Sequence, residues 1–132
     1  MTLTQTPREN FQVIDKRYFP RWEVQSRVLF QLKDNPEVFE GHTTDLSCVG
    51  MCLDTHQPLN IHQKLKLVVY LSKETSVSLF GIAVWAKGEE FFHKIGIVFY
   101  NTPLETQDLI LQFAFNLNKE RFLNDVFKGL NR

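Results

Sequence analysis

Lys64-Leu65-Lys66-Leu67-Val68-Val69-Tyr70-Leu71 places Leu65, Leu67, Val69 and Leu71 on one face and Lys64 and Lys66 on the other. Side chains of a strand alternate between faces, so this pattern predicts a β-strand with one buried side. Residues 58–62 before it read as a loop. After it, Lys73-Glu74-Thr75 turns the chain into a second strand over 77–86, and Lys87-Gly88-Glu89 turns it into a third over 92–100. Upstream, Val24, Ser26, Val28, Phe30 and Leu32 share one face of a further strand, and Gln25, Arg27, Leu29 and Gln31 the other. Asp34-Asn35-Pro36 is a turn, residues 38–46 a weaker strand and residues 50–54 a short one. Six short strands separated by turn signals predict an antiparallel barrel or sandwich.

The C-terminus changes character. Thr102-Pro103-Leu104-Glu105 offers an N-cap hydroxyl, a proline for the first helical position and a glutamate for a capping box. A helix is expected from residue 103 to about residue 121 and as far as residue 128, with Gly129 able to end it. Leu109, Phe113 and Leu117 recur at helical spacing, flanked by Ile110, Ala114 and Phe115. That stripe should pack on the core, yet it is wider than one small barrel needs, which makes the helix a candidate surface for a homodimer or a partner protein. The organisation expected is an arm over residues 1–21, a β-barrel over 22–101 and a helix over 102–128, one domain overall.

The 132 residues suit a single domain, and 43% hydrophobic content with 12 phenylalanines suits a packed globule. No apolar run is long enough to span a bilayer, and residues 1–10 lack the features of a secretory signal, so the expectation is no membrane span and a cytoplasmic protein. Lys+Arg and Asp+Glu both total 15, which argues against a DNA track or an acidic membrane surface. The charge is uneven, however. Residues 1–33 carry six basic side chains (Arg8, Lys16, Arg17, Arg21, Arg27, Lys33) against three acidic ones (Glu9, Asp15, Glu23), which favours a modest anion site near the N-terminus. Cys48 and Cys52 make neither a zinc set nor a C-x-x-C motif and read as reduced thiols. His42, His56, His62 and His93 are scattered, with no ligand spacing among them. No phosphate loop, dinucleotide fingerprint, nucleophile elbow or H-E-x-x-H occurs. The expectation is therefore no catalytic residue, no metal, no cofactor and no enzyme.

Two short signals remain. Arg17-Tyr18-Phe19-Pro20-Arg21 is an R-x-x-x-R, and paired guanidinium forks suit phosphate oxygens or the O6/N7 edge of guanine. Asp45-Leu46-Ser47-Cys48-Val49-Gly50 is a D-x-S-x-x-G where two strands meet. A carboxylate can accept from guanine N1–H and its amine together, a serine adds a directional contact, and a glycine permits a tight turn or close approach. Either motif alone reads as ordinary surface or turn chemistry.

Together, in this order and spacing, they resemble the PilZ domain, the bacterial receptor family for cyclic di-GMP. Gly41 ahead of the aspartate, Val84-Trp85 in place of the family's V-x-W, and Gly96-Ile97-Val98-Phe99 as a closing strand extend the likeness over residues 16–100. The resemblance implies a mainly β fold, a six-stranded antiparallel PilZ-type barrel followed by a C-terminal α-helix. It implies cyclic di-GMP as ligand, with Arg17 and Arg21 clamping guanine edges and phosphates. Asp45 and Ser47 would contact guanine from the rim, and Gly50 would shape the turn beneath. Trp85 would offer a nearby ring, although core packing suits it as well. Lys16 stands where many members carry another arginine; it keeps the charge and loses the planar fork. The arm would then fold over the ligand, and the altered surface would signal to an unidentified downstream protein. The alternative is a PilZ-fold interaction protein that binds no nucleotide and acts through its surface or helix.

Overall fold

The computed structural model describes residues 22–130, the side chains of residue 118 and residues 120–130 excepted. The elements run β1 (Trp22–Glu23), β2 (Arg27–Leu32), β3 (Phe39–Leu46), β4 (Gly50–Thr55), β5 (Lys64–Tyr70), β6 (Ser76–Gly88), β7 (His93–Tyr100) and α1 (Leu104–Leu130). All strand pairs are antiparallel in the order β3-β2-β5-β6-β7-β4, and β4 pairs back onto β3. Six strands thus close into a barrel, which leaves no long open sheet edge. Alternation fills it as the pattern requires: Val28 and Phe30, Met51 and Leu53, Leu65, Leu67 and Val69, Leu79 and Ala83, and Ile95 and Ile97 all belong to one buried cluster.

The strand expected to begin at Val24 starts at Arg27 instead, and a two-residue strand, β1, lies ahead of it. Glu23 lies opposite Asp45 and Arg27 opposite His42, so four steps along one chain match three along the other. The surplus residue breaks the ladder, and Thr43 bridges the break from the interior. Its hydroxyl accepts from Ser26 N at 2.9 Å and donates to Val24 O, while its own amide donates to Ser26 O at 2.9 Å. These bonds satisfy backbone groups that the interrupted ladder would leave buried and unpaired.

Two other expectations shift. The turn expected at residues 87–89 lies later: β6 stays paired through Gly88, opposite His93, and Glu89 N donates to Phe92 O at 2.8 Å. The helix starts one residue later than expected, because the amides of Thr106 and Gln107 both donate to Pro103 O. It is Gln107, through Nε2 to Thr102 O at 3.2 Å, that ties side chain to cap. The helix also continues through Gly129 to Leu130, 27 residues in all, or about 40 Å at 1.5 Å per residue.

The buried helix face is centred on Ile110 and Ala114, with Phe113 partly buried against the barrel core. Leu109, expected in the packing stripe, is exposed, as are Leu111 and Phe115. A helix crossing the barrel can present only a narrow stripe to it, and that stripe falls one residue round from the expected one. Ile110→Ala should therefore lower stability by about 2–5 kcal/mol in urea unfolding, and Leu109→Ala by about 1 kcal/mol or less. The reverse order would refute this packing.

Candidate functional site

The β3–β4 hairpin is held by Ser47. Its Oγ accepts from the amides of Val49 (3.2 Å) and Gly50 (3.1 Å) and donates to Gly50 O (3.2 Å), while Ser47 N donates to the same carbonyl at 2.9 Å. The side chain is fully buried. Ser47 thus fixes the turn that follows Asp45. Gly50 does not need positive φ; its need is space, since a Cβ there would lie 2.5 Å from Ile97 O on β7.

Two bulges shape the outer face. On β3 the register against β4 shifts between Thr43 and Asp45, and on β6 the register against β7 shifts between Ala83 and Trp85. Residues directly opposite each other share a face. Had the Thr43–Leu53 register continued, Asp45 would oppose Met51, which points into the core. Had the Ala83–Ile97 register continued, Trp85 would oppose the buried Ile95. One extra residue on each strand turns both side chains outward.

The result is a row across four strands: Asp45 opposite Cys52, Cys52 opposite Gly96, Gly96 opposite Trp85. The indole lies over Gly96, where a Cβ would come within 2.0 Å of its Nε1. Trp85 remains 40% exposed, whereas Cys52 beside it is only 6% exposed despite facing outward. Burial pushes the Cys52 thiol above its ordinary range, against a smaller opposing effect of its hydrogen bond with Thr44. Asp45, Cys52, Trp85 and Gly96, with Val84 and Val98, line a depression of about 230 Å³.

The next outer row runs Arg27, His42, Asp54, Lys94 and Lys87. Lys94 Nζ lies 3.0 Å from Asp54 Oδ1, and the hydrogen bond to that carboxylate raises the lysine above its usual range. His42 Nε2 is 3.8 Å from the other Asp54 oxygen. Arg27 pairs with Glu40 at 3.0 Å. The cations of this row are thus largely engaged with carboxylates. Among the described residues no group of three or more His, Cys, Asp or Glu could hold a metal ion, and no helix is long and apolar enough to cross a membrane.

Of the residues expected in the site, the structure brings Asp45 and Trp85 together, with Gly50 at the foot of the same hairpin and Ser47 inside it. Lys16, Arg17 and Arg21 lie outside the described residues. The described chain begins at Trp22, and β1 pairs Trp22 with Leu46 and Glu23 with Asp45. Cys52 and Gly96 are additions to the site: Gly96 was legible only as part of the closing strand and Cys52 only as a reduced thiol, because the barrel register alone sets them between Asp45 and Trp85.

The PilZ domain family model matches residues 15–116, and the chain belongs to that family. Solved structures agree on the fold. The PilZ domain of YcgR from Escherichia coli, solved with c-di-GMP, superposes with a TM-score of 0.70 at 14% identity, over 84% of this chain and 98% of that one. MrkH from K. pneumonia in complex with c-di-GMP gives 0.72 at 20% identity, over 83% and 56%. The Bacillus subtilis inhibitor of motility (MotI/DgrA) gives 0.69 at 12% identity, over 80% and 53%. The chain thus spans about half the length of the last two. No curated protein matches the sequence.

The Trp85–Gly96 contact has a measurable consequence. The thiolate is the reactive form of cysteine, so the buried, raised Cys52 should alkylate slowly at neutral pH. Gly96→Val has no room beneath the indole, and displacing the ring should accelerate Cys52 alkylation, followed by mass spectrometry of the labelled peptide. An unchanged rate in a folded variant would show that the ring does not shield the thiol.

Proposed function

We propose that this chain is a cyclic di-GMP receptor that acts without catalysis and passes its ligand state to another protein. The observation that carries the reading is the outward row of Asp45 and Trp85, built by two matched bulges at the rim where β1 joins the barrel. The Asp45 carboxylate accepts from the N1–H and amine of one guanine, and the half-exposed indole supplies an aromatic face. Ser47 acts by holding the hairpin, since its hydroxyl is committed to the turn.

The described rim supplies little for the phosphates: Glu23 and Asp45 are acidic, and Lys94 is paired with Asp54. Arg17 and Arg21, with Lys16 beside them, fill that need. Arg21 immediately precedes Trp22, which is pinned next to Asp45. In this reading the arm closes over the ligand, its guanidinium forks on phosphate and guanine edges. The entropy of ordering it is offset by charge-assisted bonds. The closed arm is the altered surface that a downstream protein reads in the cytoplasm.

Calorimetric titration with cyclic di-GMP tests this. The wild type should bind saturably. Arg21→Ala should lose about 2–5 kcal/mol, which is tens- to thousands-fold in affinity. No heat and no thermal stabilisation in a folded wild type would refute the receptor reading.

A further inference from the structure

Two features of the barrel stand apart from the Asp45 rim. The first is a cleft of about 590 Å³ between the β2–β3 turn and the outer face of β5–β7. Phe80 and Tyr100 line it, their rings stacked with centroids 6.0 Å apart and Phe80 48% exposed. Lys33, Lys64 and Lys66 line it as well, and among the described residues none of the three makes a salt bridge. Lys64 Nζ sits 5.9 Å from the Tyr100 ring centre. Asp34 is the one carboxylate on the lining, so the cleft is net positive. Its wall is pre-formed: Gln31 Nε2 donates to Pro36 O at 2.9 Å, and Lys33 N to Lys64 O at 3.0 Å.

The second feature is the β6–β7 tip, Glu89-Glu90-Phe91-Phe92. Its backbone is tied down by the Glu89–Phe92 bond and by His56 Nδ1, 2.9 Å from Phe91 O. Glu89 lies 3.5 Å from Lys87, but Glu90 makes no salt bridge among the described residues. Phe91 is 75% exposed on this fixed turn. A rigid tip thus holds out a ring and a carboxylate, the complement of a cleft offering rings and ammonium groups. The two cannot meet within one chain. Phe80 and Gly88 are eight residues apart on β6, about 26 Å at the rise of a strand.

The geometry points to a contact between copies of this chain: the Glu90–Phe91 tip of one copy seats in the Lys33–Lys64–Lys66 cleft of the next. Phe91 packs against Phe80 and Tyr100, and the Glu90 carboxylate lies among the lysines. This inference does not depend on the cyclic di-GMP reading. The contact joins unlike surfaces, so each pair keeps one free tip and one free cleft and can extend. Its area is small, which makes the association weak, and its charges make it sensitive to salt.

Sedimentation velocity of the full chain over a wide concentration range tests it. The wild type should gain mass with concentration, less so in high salt. Glu90→Lys and Lys66→Glu, both at exposed positions, should each weaken association by about tenfold or more, because like charges then meet. An equimolar mixture of the two variants should form pairs, since the intact cleft of the first accepts the intact tip of the second. A wild type that stays monomeric overturns the inference, even if the cleft binds some other acidic segment. Variants that associate like the wild type, or a mixture no heavier than its parts, overturn it too. Circular dichroism of each variant separates a lost contact from a lost fold.

Discussion

The outer face of this barrel depends on one constraint: β3 must pair with β2 and β1 along one side and with β4 along the other. A continuous ladder cannot serve both sides without driving Asp45 into the core. The extra residue at Thr44 relieves this by letting Asp45 oppose Cys52 and Leu46 oppose Met51. A second bulge at Val84 does the same for Trp85 against β7. The β4–β7 ladder between them runs without a shift from Gly50 to Thr55. It therefore acts as the fixed reference from which the two bulged strands present a carboxylate and an indole. A bulge costs local ladder bonds, and its usual return is a redirected side chain.

Around that row the electrostatics divide the barrel into zones. The Asp45 rim is acidic and aromatic. One row along, Asp54 gathers Lys94 and His42, so that cation and anion largely cancel. Among the described residues Lys33, Lys64 and Lys66 make no salt bridge, and they gather at the cleft beside Phe80 and Tyr100. A chain with formal net charge of zero therefore still carries surfaces of distinct sign. Under the receptor proposal, a diphosphate ligand at the Asp45 rim would draw its counter-charge from Lys16, Arg17 and Arg21 of the sequence.

Much of the fold was legible in the sequence. The alternation in β5 and the turn at residues 73–75 are local, and the structure keeps both, with Ser72 Oγ accepting from the amides of Glu74 and Thr75. Belonging to the PilZ family was legible from motif order. What escaped depends on register. Period-two alternation through Val77, Leu79 and Ala83 points Trp85 inward, and only the bulge reverses it. All six residues of β4 are buried; on its outer face Asp54 meets Lys94, and Cys52 lines one depression with Trp85, and neither Lys94 nor Trp85 is near in sequence. Gly50 looked like a residue of the turn, whereas the approach of Ile97 explains it. The helix stripe was misplaced by one residue because Leu109 and Ile110 are equally apolar, and only the barrel decides which is covered.

The most direct test of the central claim is a two-dimensional NMR titration with cyclic di-GMP that follows the Trp85 indole N–H and the amides of Asp45 and Gly50. Ligand at the bulged rim should shift these resonances together and saturably, leaving those of Phe80 and Tyr100 in place. Saturable shifts confined to the row of Arg27, His42, Asp54 and Lys94 or to the Phe80–Tyr100 face, with the Trp85 indole unmoved, would contradict it.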